Sequence, residues 1–223
     1  MRATSIYLLY SVVLINIIGF LLALLVTRPL KGANLLRASF FIPNMIGGLL
    51  LGYIWKFIFL KIFPSMYDFT GLFFFNYPWL SETQLALAGM AIVSTWQMGG
   101  YIMIIYIAAI QAIPEEYYEA ARIDGASAFQ MMKNITLPLV APAITISLFL
   151  TVSQGFKMFD VNVSLTNGDP ARTTELLALN IYQTAFTNSE FSYAQSLSLM
   201  FMLLIAVVTL TQVYISKKRE LEY

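Results

Sequence analysis

The sequence contains no cysteine and no histidine. Without cysteine the chain can form neither a disulfide nor a thiolate metal site. Without histidine it lacks the usual general base and the usual zinc ligand. We therefore expect no cofactor, no metal centre and no catalysis by this chain on its own.

Charged residues are also scarce. They make up 11% of the sequence, whereas hydrophobic residues make up 59%, far from the average of a soluble domain. The charges lie in short segments between apolar runs of about 20 residues, the length that crosses a hydrocarbon core. Composition therefore predicts an integral membrane protein and excludes a large soluble core. The near balance of 13 basic and 12 acidic residues excludes a nucleic-acid partner.

Five apolar runs predict an all-α fold, a polytopic membrane protein with five transmembrane helices in a single domain, 1–223. The predicted spans are residues 6–26, 38–60, 85–110, 137–156 and a last span from about 194 to 215. Basic residues follow the first span (Arg28, Lys31, Arg37) and the last (Lys217, Lys218, Arg219), with Pro29 in the turn after the first. The positive-inside rule then predicts an outside N-terminus and an inside C-terminus.

A polar stretch, residues 115–138, separates the third and fourth runs. Pro114 suits the first turn of a helix. Acidic residues crowd the start of the stretch, where the helix dipole favours negative charge, and Lys133 lies near its far end. Gly125 weakens a helix interior and tolerates a positive φ. The pattern predicts a short helix, a bend and a second helix that returns to the membrane.

This stretch resembles the EAA loop of bacterial ABC-importer permeases. The matching pattern is Glu-Ala-Ala, three residues, Gly, nine residues, then Ile-x-Leu-Pro, at Glu119, Ala120, Ala121, Gly125, Ile135, Leu137 and Pro138. Ala112-Ile113-Pro114 and Tyr118 are similar to the sugar-importing, maltose-type branch. The resemblance implies a type I ABC-importer permease fold with a cytoplasmic EAA coupling helix.

It also implies partners. A complete importer would contain a second, homologous permease subunit, two ATPase subunits and an extracellular solute-binding protein, in the inner membrane of a bacterial cell. The chain has no G-x-x-x-x-G-K-[ST] phosphate loop, so ATP hydrolysis is assigned to the ATPase partner. Coupling to that partner would run through the 114–133 loop, at Glu119, Ala120, Ala121, Asp124 and Gly125. In this interpretation the alanines permit a tight fit, Glu119 offers a charge and Gly125 permits a sharp bend.

Two further blocks resemble this family. Arg37, Phe40, Phe41 and Pro43 match the start of its second span, and residues 165–186 match an outside loop in which Asp169 and Asn180 depart from the family pattern. Sugar permeases of this type commonly have another span upstream. The sequence leaves open whether this branch has a trimmed core or the chain begins within a longer protein.

Polar residues at helical spacing give two predicted spans a distinctive face. Ser94, Gln97, Met98 and Tyr101 lie on the third span, and Thr151, Gln154 and Met158 on the fourth. Lipid cannot satisfy polar groups, so such faces line a cavity or contact another helix. We predict that they line a solute path near the middle of the bilayer. The alternative is hydrogen bonding between helices with no ligand.

The favoured substrate is a mono- or oligosaccharide, since uncharged polar and aromatic or Met side chains suit sugar hydroxyls and need no charged anchor. A polyamine, phosphate or amino-acid cargo is the alternative within ABC importers. An ion-coupled secondary transporter or channel is less consistent, because the span centres hold almost no charged residue. A membrane-embedded enzyme would need a carboxylate pair, histidine or cysteine, and a pure scaffold leaves the EAA pattern unexplained.

The segments 61–84 and 157–194 are predicted to lie outside. The first is dense in aromatic residues, which favour the membrane–water interface. We expect an interfacial belt there, and the family resemblance adds a docking surface for a solute-binding protein as the second interpretation.

Overall fold

The computed structural model of the chain describes residues 1–28 and 31–218. Pro29 and Arg219, which the sequence assigned to the first turn and to the basic end of the last span, lie outside these residues. Every regular element in the described part is helical, which confirms the all-α fold class.

Eleven α-helices are described within residues 1–28 and 31–218: α1 (Arg2–Val26), α2 (Ala33–Phe41), α3 (Gly48–Phe57), α4 (Phe63–Thr70), α5 (Thr83–Gln111), α6 (Glu115–Ile123), α7 (Ala128–Met131), α8 (Leu137–Leu139), α9 (Ala141–Phe156), α10 (Leu177–Tyr182) and α11 (Phe191–Lys217). Wider π-helical turns join α3 to α4 and α7 to α8, and another continues α10 to Thr187. Within the described part of the chain, four helices are long and apolar enough to cross a membrane: α1, the joined α3–α4, α5 and α11. The bent pair α7–α8 and α9 gives a fifth if it counts as one span.

The second span differs from its predicted extent, 38–60. The chain forms α2, then a 3₁₀ turn at Ile42–Met45, and is extended at Ile46 and Gly47 with ψ of 128° and 137° before α3 begins. Pro43 cannot donate a backbone hydrogen bond, and the glycines at 47 and 48 weaken a helix interior. The continuous helix therefore runs Gly48–Thr70 and extends beyond the predicted end of the span at residue 60.

The fourth span is bent rather than straight. Ala128–Leu139 and Ala141–Phe156 meet at 66°, with Val140 between them. Pro138 and Pro142 flank this residue, and each removes a backbone donor and crowds the preceding turn. The predicted spans 6–26, 85–110 and 194–215 correspond to α1, α5 and α11 and are confirmed.

Helix α1 packs along α5 and α9, and buried polar side chains join the three. Tyr7 Oη and Ser94 Oγ are 2.7 Å apart. Tyr106 Oη donates to Asn16 Oδ1 at 3.0 Å and lies 2.6 Å from Ser147 Oγ. These hydrogen bonds satisfy groups that lipid would leave unpaired, so they hold the three helices in one arrangement.

Two glycines allow backbones to approach closely. A Cβ on Gly100 of α5 would overlap the Phe40 carbonyl and lie 2.9 Å from the Phe41 nitrogen. A Cβ on Gly52 of α3 would overlap the Ser164 hydroxyl. The absence of a side chain at Gly100 is thus what lets the end of α2 lie directly on α5.

The loop between α9 and α10 is ordered by a buried amide and an ion pair. Asn162 Nδ2 donates to the Thr174 carbonyl at 3.0 Å, and its Oδ1 accepts from the Leu176 N–H at 3.0 Å. Arg172 Nε donates to Glu175 Oε2 at 2.6 Å, and Asn180 Nδ2 donates to Glu175 Oε1 at 2.7 Å. Asn180, which departs from the family pattern, therefore has a local structural role.

The Glu175 contacts predict a pH dependence of stability. Partial burial of its carboxylate raises the pKa, but the hydrogen bonds from Arg172 and Asn180 and the charge of Arg172 outweigh it, so the pKa lies below its ordinary value. A lowered folded-state pKa stabilises the fold above the unfolded value, about 4.3, and this contribution is lost as the pH falls through the folded-state pKa. We expect Glu175→Gln to melt below wild type at pH 7, and the difference to close in acid. A difference that is unchanged down to pH 3 would contradict this.

Candidate functional site

A polar cavity of ≈ 380 Å³ opens between the start of α3, the middle of α5, the end of α9 and the residues after it. Its size lies within the range of small-molecule sites, about 300–1,000 Å³. Five of the residues predicted for a solute path line it: Gln97, Met98, Tyr101, Gln154 and Met158. Helical spacing brings the first three to one side of α5, and the last two come from α9 and the turn that follows it.

The other two predicted residues, Ser94 and Thr151, do not line this cavity. Ser94 is fully buried against Tyr7 and donates to the Met90 carbonyl at 2.9 Å. Thr151 is buried, accepts from Asn16 Nδ2 at 3.0 Å and donates to the Ser147 carbonyl at 2.8 Å. Helix α1 covers both, and the sequence of α5 or α9 alone does not show which side α1 occupies. Here the alternative interpretation, hydrogen bonding between helices, is the one observed.

Sequence reasoning missed part of the lining. Asn44 comes from the break before α3, Gly48 is the first residue of α3, and Lys157 and Asp160 come from the chain just beyond α9. A Cβ on Gly48 would lie 2.7 Å from Asp160 Cβ, so these two segments touch. The available signal was the cluster of Pro43, Gly47 and Gly48 inside an apolar run, which indicates an interrupted helix.

The two glutamine side chains that line the cavity differ in their hydrogen bonding. Gln97 Nε2 donates to the Ile46 carbonyl at 2.9 Å and so ties α5 to the extended backbone before α3. Gln154 is exposed to the cavity and has no hydrogen-bond partner within residues 1–28 and 31–218. Its amide offers two donors and an acceptor to a solute. Met98, Leu150 and Phe159 supply apolar surface beside it. The cavity can therefore bind a solute that carries both hydroxyl groups and apolar faces.

The predicted coupling residues lie beyond the C-terminal end of α5, on α6 and the bend after it. The predicted short helix is present as α6, which begins at Glu115 and ends at Ile123, and Pro114 is its N-cap rather than part of its first turn. Glu119 and Ala120 are exposed and Ala121 is half-buried. Asp124 is the C-cap, and Gly125 follows with φ +75° and no atom within 4 Å of a Cβ. The bend is thus made by a left-handed residue on an open surface, a conformation that favours glycine.

The second helix of this loop starts with a capping box. Ser127 Oγ accepts from the Gln130 N–H at 3.3 Å, and Gln130 Oε1 accepts from the Ser127 N–H at 2.7 Å. Tyr118 Oη lies 3.0 Å from Thr136 Oγ1 and ties α6 to the turn before α8. The large apolar side chains of Ile123 and Phe129 are the most exposed ones described in this loop, at 86% and 75%. The loop therefore presents a preformed apolar surface, which the sequence did not single out.

Apolar helices of membrane-spanning length, a polar cavity between them and an ordered amphipathic loop at one end together define a membrane transport subunit. The model of one family, binding-protein-dependent transport system inner membrane component, matches residues 15–221. The chain belongs to this family and is a membrane protein.

Relatives in the family are similar over nearly the whole chain. The starch degradation products permease protein AmyD of Thermoanaerobacterium thermosulfurigenes, itself described as probable, is 48% identical over 95% of this chain and 72% of the relative. The multiple sugar-binding permease protein MsmF of Streptococcus mutans is 30% identical over 92% and 70%. The trehalose/maltose permease protein MalF of Thermococcus litoralis is 30% identical over 94% and 71%.

Solved structures show the same fold. A bacterial ABC transporter that imports the acidic polysaccharide alginate has a chain with TM-score 0.85 and 21% identity, which covers 98% of this chain and 78% of that one. The methionine transporter MetNI, in an inward-facing conformation, gives TM-score 0.63 and 17% identity over 99% and 95%. The predicted fold class, an ABC-importer permease fold, is confirmed.

Proposed function

We propose that this chain is the permease subunit of a binding-protein-dependent ABC importer in a bacterial inner membrane and forms the path for a mono- or oligosaccharide. The observation that carries the proposal is the cavity beside α5 and α9, where the Gln154 amide, which has no hydrogen-bond partner among the described residues, faces apolar surface. Sugars present hydroxyl groups around apolar ring faces and match this combination. The printed names of AmyD, MsmF and MalF, which concern starch products and sugars, support the same substrate class.

The energy source would be a separate ATPase subunit that docks on the loop between α5 and α9. Ala120 and Ala121 leave room for a partner's groove, Glu119 supplies a charge, and Ile123 and Phe129 add apolar area. Aromatic and apolar anchors of this kind dominate protein interfaces. The proposed assembly has two ATPase subunits, a second homologous permease subunit and an extracellular solute-binding protein.

Movement of the loop would change the cavity, because the helices that line the cavity are directly connected to the loop. Helix α6 follows α5 after three residues, and α7–α8 leads into α9, so both lining helices connect to the loop. A push on α6 and Gly125 by the ATPase subunit would tilt α5 and α9 about the polar contacts that Asn16 of α1 makes with Tyr106 and Thr151. The cavity would then open alternately to the two sides, as in alternating access around a fixed site.

Uptake of labelled maltooligosaccharide by the complex in proteoliposomes tests the substrate. We expect Gln154→Leu to weaken saccharide transport roughly two- to tenfold, since one hydrogen bond is worth about 0.5–1.5 kcal/mol. The matched control is Gln195→Leu, which removes a glutamine from α11 outside the cavity and should leave uptake unchanged.

Several results would count against the proposal. Equal uptake by the two variants would remove Gln154 from the path. ATP-dependent transport of a polyamine or phosphate with no competition by saccharides would replace the substrate class. Uptake by this chain without an ATPase subunit would overturn the importer assignment itself.

A further inference from the structure

The cavity wall contains two charged side chains, whereas every lining residue predicted from the sequence is uncharged. Lys157 and Asp160 lie on the turn that follows α9, and both are exposed. Neither side chain makes an ion pair or a hydrogen bond with another residue within 1–28 and 31–218. Both charges therefore remain open to a solute in the cavity.

Close packing against α3 fixes the position of Asp160. A Cβ on Gly48, the first residue of α3, would lie 2.7 Å from Asp160 Cβ and 3.1 Å from its Oδ2. One turn further along both segments, a Cβ on Gly52 would overlap the Ser164 hydroxyl, which donates to the Asp160 carbonyl at 2.7 Å. The two glycines therefore form a groove on α3 that holds residues 160–164 and places the Asp160 carboxylate beside the first turn of that helix.

The ends of two different helices stabilise the two charges. The N-terminus of α3 carries a partial positive charge, and its N-cap, Gly47, has no side chain to pair with the first N–H groups. A carboxylate is favourable beside it. Lys157 is the C-cap of α9, where the partial negative charge of the helix end favours a cation. Neither charge therefore depends on the other for its stabilisation.

The carboxylate of Asp160 discriminates between solutes by their charge. An ionised carboxylate only accepts hydrogen bonds, and its two oxygens can accept from neighbouring hydroxyl groups of a neutral saccharide. The same carboxylate repels an anionic group on the solute. Lys157 compensates this repulsion poorly, because its long side chain has rotatable bonds and no described contact that holds the ammonium group near Asp160.

We propose that Asp160 is a specificity-determining residue of the solute path, whose carboxylate binds hydroxyl groups of a neutral saccharide and excludes saccharides that carry a carboxylate or phosphate group. This role rests on the proposed saccharide function and narrows it to neutral sugars. The Gln154 amide cannot make this distinction, because it both donates and accepts and therefore suits either kind of sugar.

Binding to the assembled importer in detergent, without the solute-binding protein, measures selectivity at the permease itself. Saturation-transfer NMR gives the Kd of maltose and of its uronate, in which the C6 hydroxymethyl group of the non-reducing glucose is oxidised to a carboxylate. The corresponding uronamide has a similar shape but no charge. The variant is Asp160→Asn, and the matched control is Asp169→Asn, at an exposed position of the same loop that does not line the cavity.

We expect wild-type protein to bind the uronate more weakly than maltose and to bind the uronamide about as well as maltose. Asp160→Asn should lower the ratio of the uronate Kd to the maltose Kd roughly two- to fivefold, the range of one charge–charge contact that is open to water. Asp169→Asn should keep the wild-type ratio. In the wild type, about 1 M salt, which shortens the screening length to about 3 Å, should lower the ratio as well.

Three outcomes would contradict the assignment in different ways. Maltose binding with the same ratio in wild type and Asp160→Asn, or with a wild-type ratio that salt does not change, would overturn the role of Asp160 and leave the saccharide function standing. Failure of wild-type protein to bind any of the three sugars would overturn the saccharide function and this role together. Spermidine binding that is lost in Asp160→Asn would make Asp160 an anchor for a cation and overturn both.

Discussion

Gly125→Val is expected to abolish most ATP-driven uptake while the protein still inserts and folds. Gly125 has φ +75° at the bend between α6 and α7. A left-handed conformation costs an L-residue about 1–2 kcal/mol, and a β-branched side chain is a true outlier there. A cost of about 1.4 kcal/mol lowers the population of the bent geometry tenfold. If ATPase closure acts on this bend, uptake should fall by roughly that factor or more. ATP hydrolysis by the assembled complex would persist.

Two control variants distinguish a specific effect of the bend at Gly125 on uptake from a general effect of backbone strain. Gly125→Asn should retain uptake, because asparagine adopts positive φ readily and no atom lies within 4 Å of a Cβ at this position. Gly71→Val imposes similar strain, at φ +68° on an open surface, but at the other end of α5. Normal transport is expected of Gly71→Val. Undiminished uptake by Gly125→Val, or an equal loss in both valine variants, would contradict a specific role of the bend in coupling.

The second large effect is expected on thermal stability, when the adjacent glycines Gly99 and Gly100 of α5 are each replaced by alanine. A Cβ on Gly100 would overlap the Phe40 backbone, which has no flexible side chain to move aside. Forcing the helices apart costs about 1–3 kcal/mol, sometimes more, so Gly100→Ala should melt about 3–10 °C below wild type. At Gly99 the nearest atom to a Cβ is Ile18 Cγ2 at 3.8 Å, an ordinary contact. Gly99→Ala should be neutral or stabilising, since alanine favours helix over glycine by up to about 1 kcal/mol.

Thermal unfolding of the two alanine variants in detergent, followed by loss of monodisperse protein, measures this difference. Both variants add one methyl group to the same helix one residue apart. The change in helix propensity is therefore the same in both variants and cancels in the difference between their melting temperatures. The remaining difference reports the contact between α2 and α5. Equal melting temperatures would mean that α2 does not lie against Gly100 in the folded protein.

Much of this organisation could be predicted from the sequence. Length and hydrophobicity of the apolar runs determine α1, α5 and α11, because a span must satisfy its backbone internally and cover about 30 Å of hydrocarbon. The α6 helix and the bend at Gly125 are local as well. Pro114, the acidic first turn and one glycine specify them with little help from distant residues.

The breaks in the spans were harder to predict. Pro43, Gly47 and Gly48 weaken the second apolar run, but similar residues also serve close helix packing. The outcome was decided by distant contacts: Gln97 donates to the Ile46 carbonyl across 51 positions of sequence, and Asp160 packs on Gly48. The Gln97 side chain of α5 replaces a helical hydrogen bond that is lost at the break. The sequence of the second apolar run alone does not show this contact.

The sequence by itself determined that this is a helical membrane protein with a bent polar loop, because hydrophobic length and backbone conformation are local properties. Only the tertiary structure decided which polar residues face the cavity. Ser94 and Gln97 lie one turn apart on α5, yet Tyr7 of α1 covers the first and the second stays at the cavity. Helical periodicity places both residues on the same face of α5. The position of α1 determines which of them packs against another helix and which remains open to a solute.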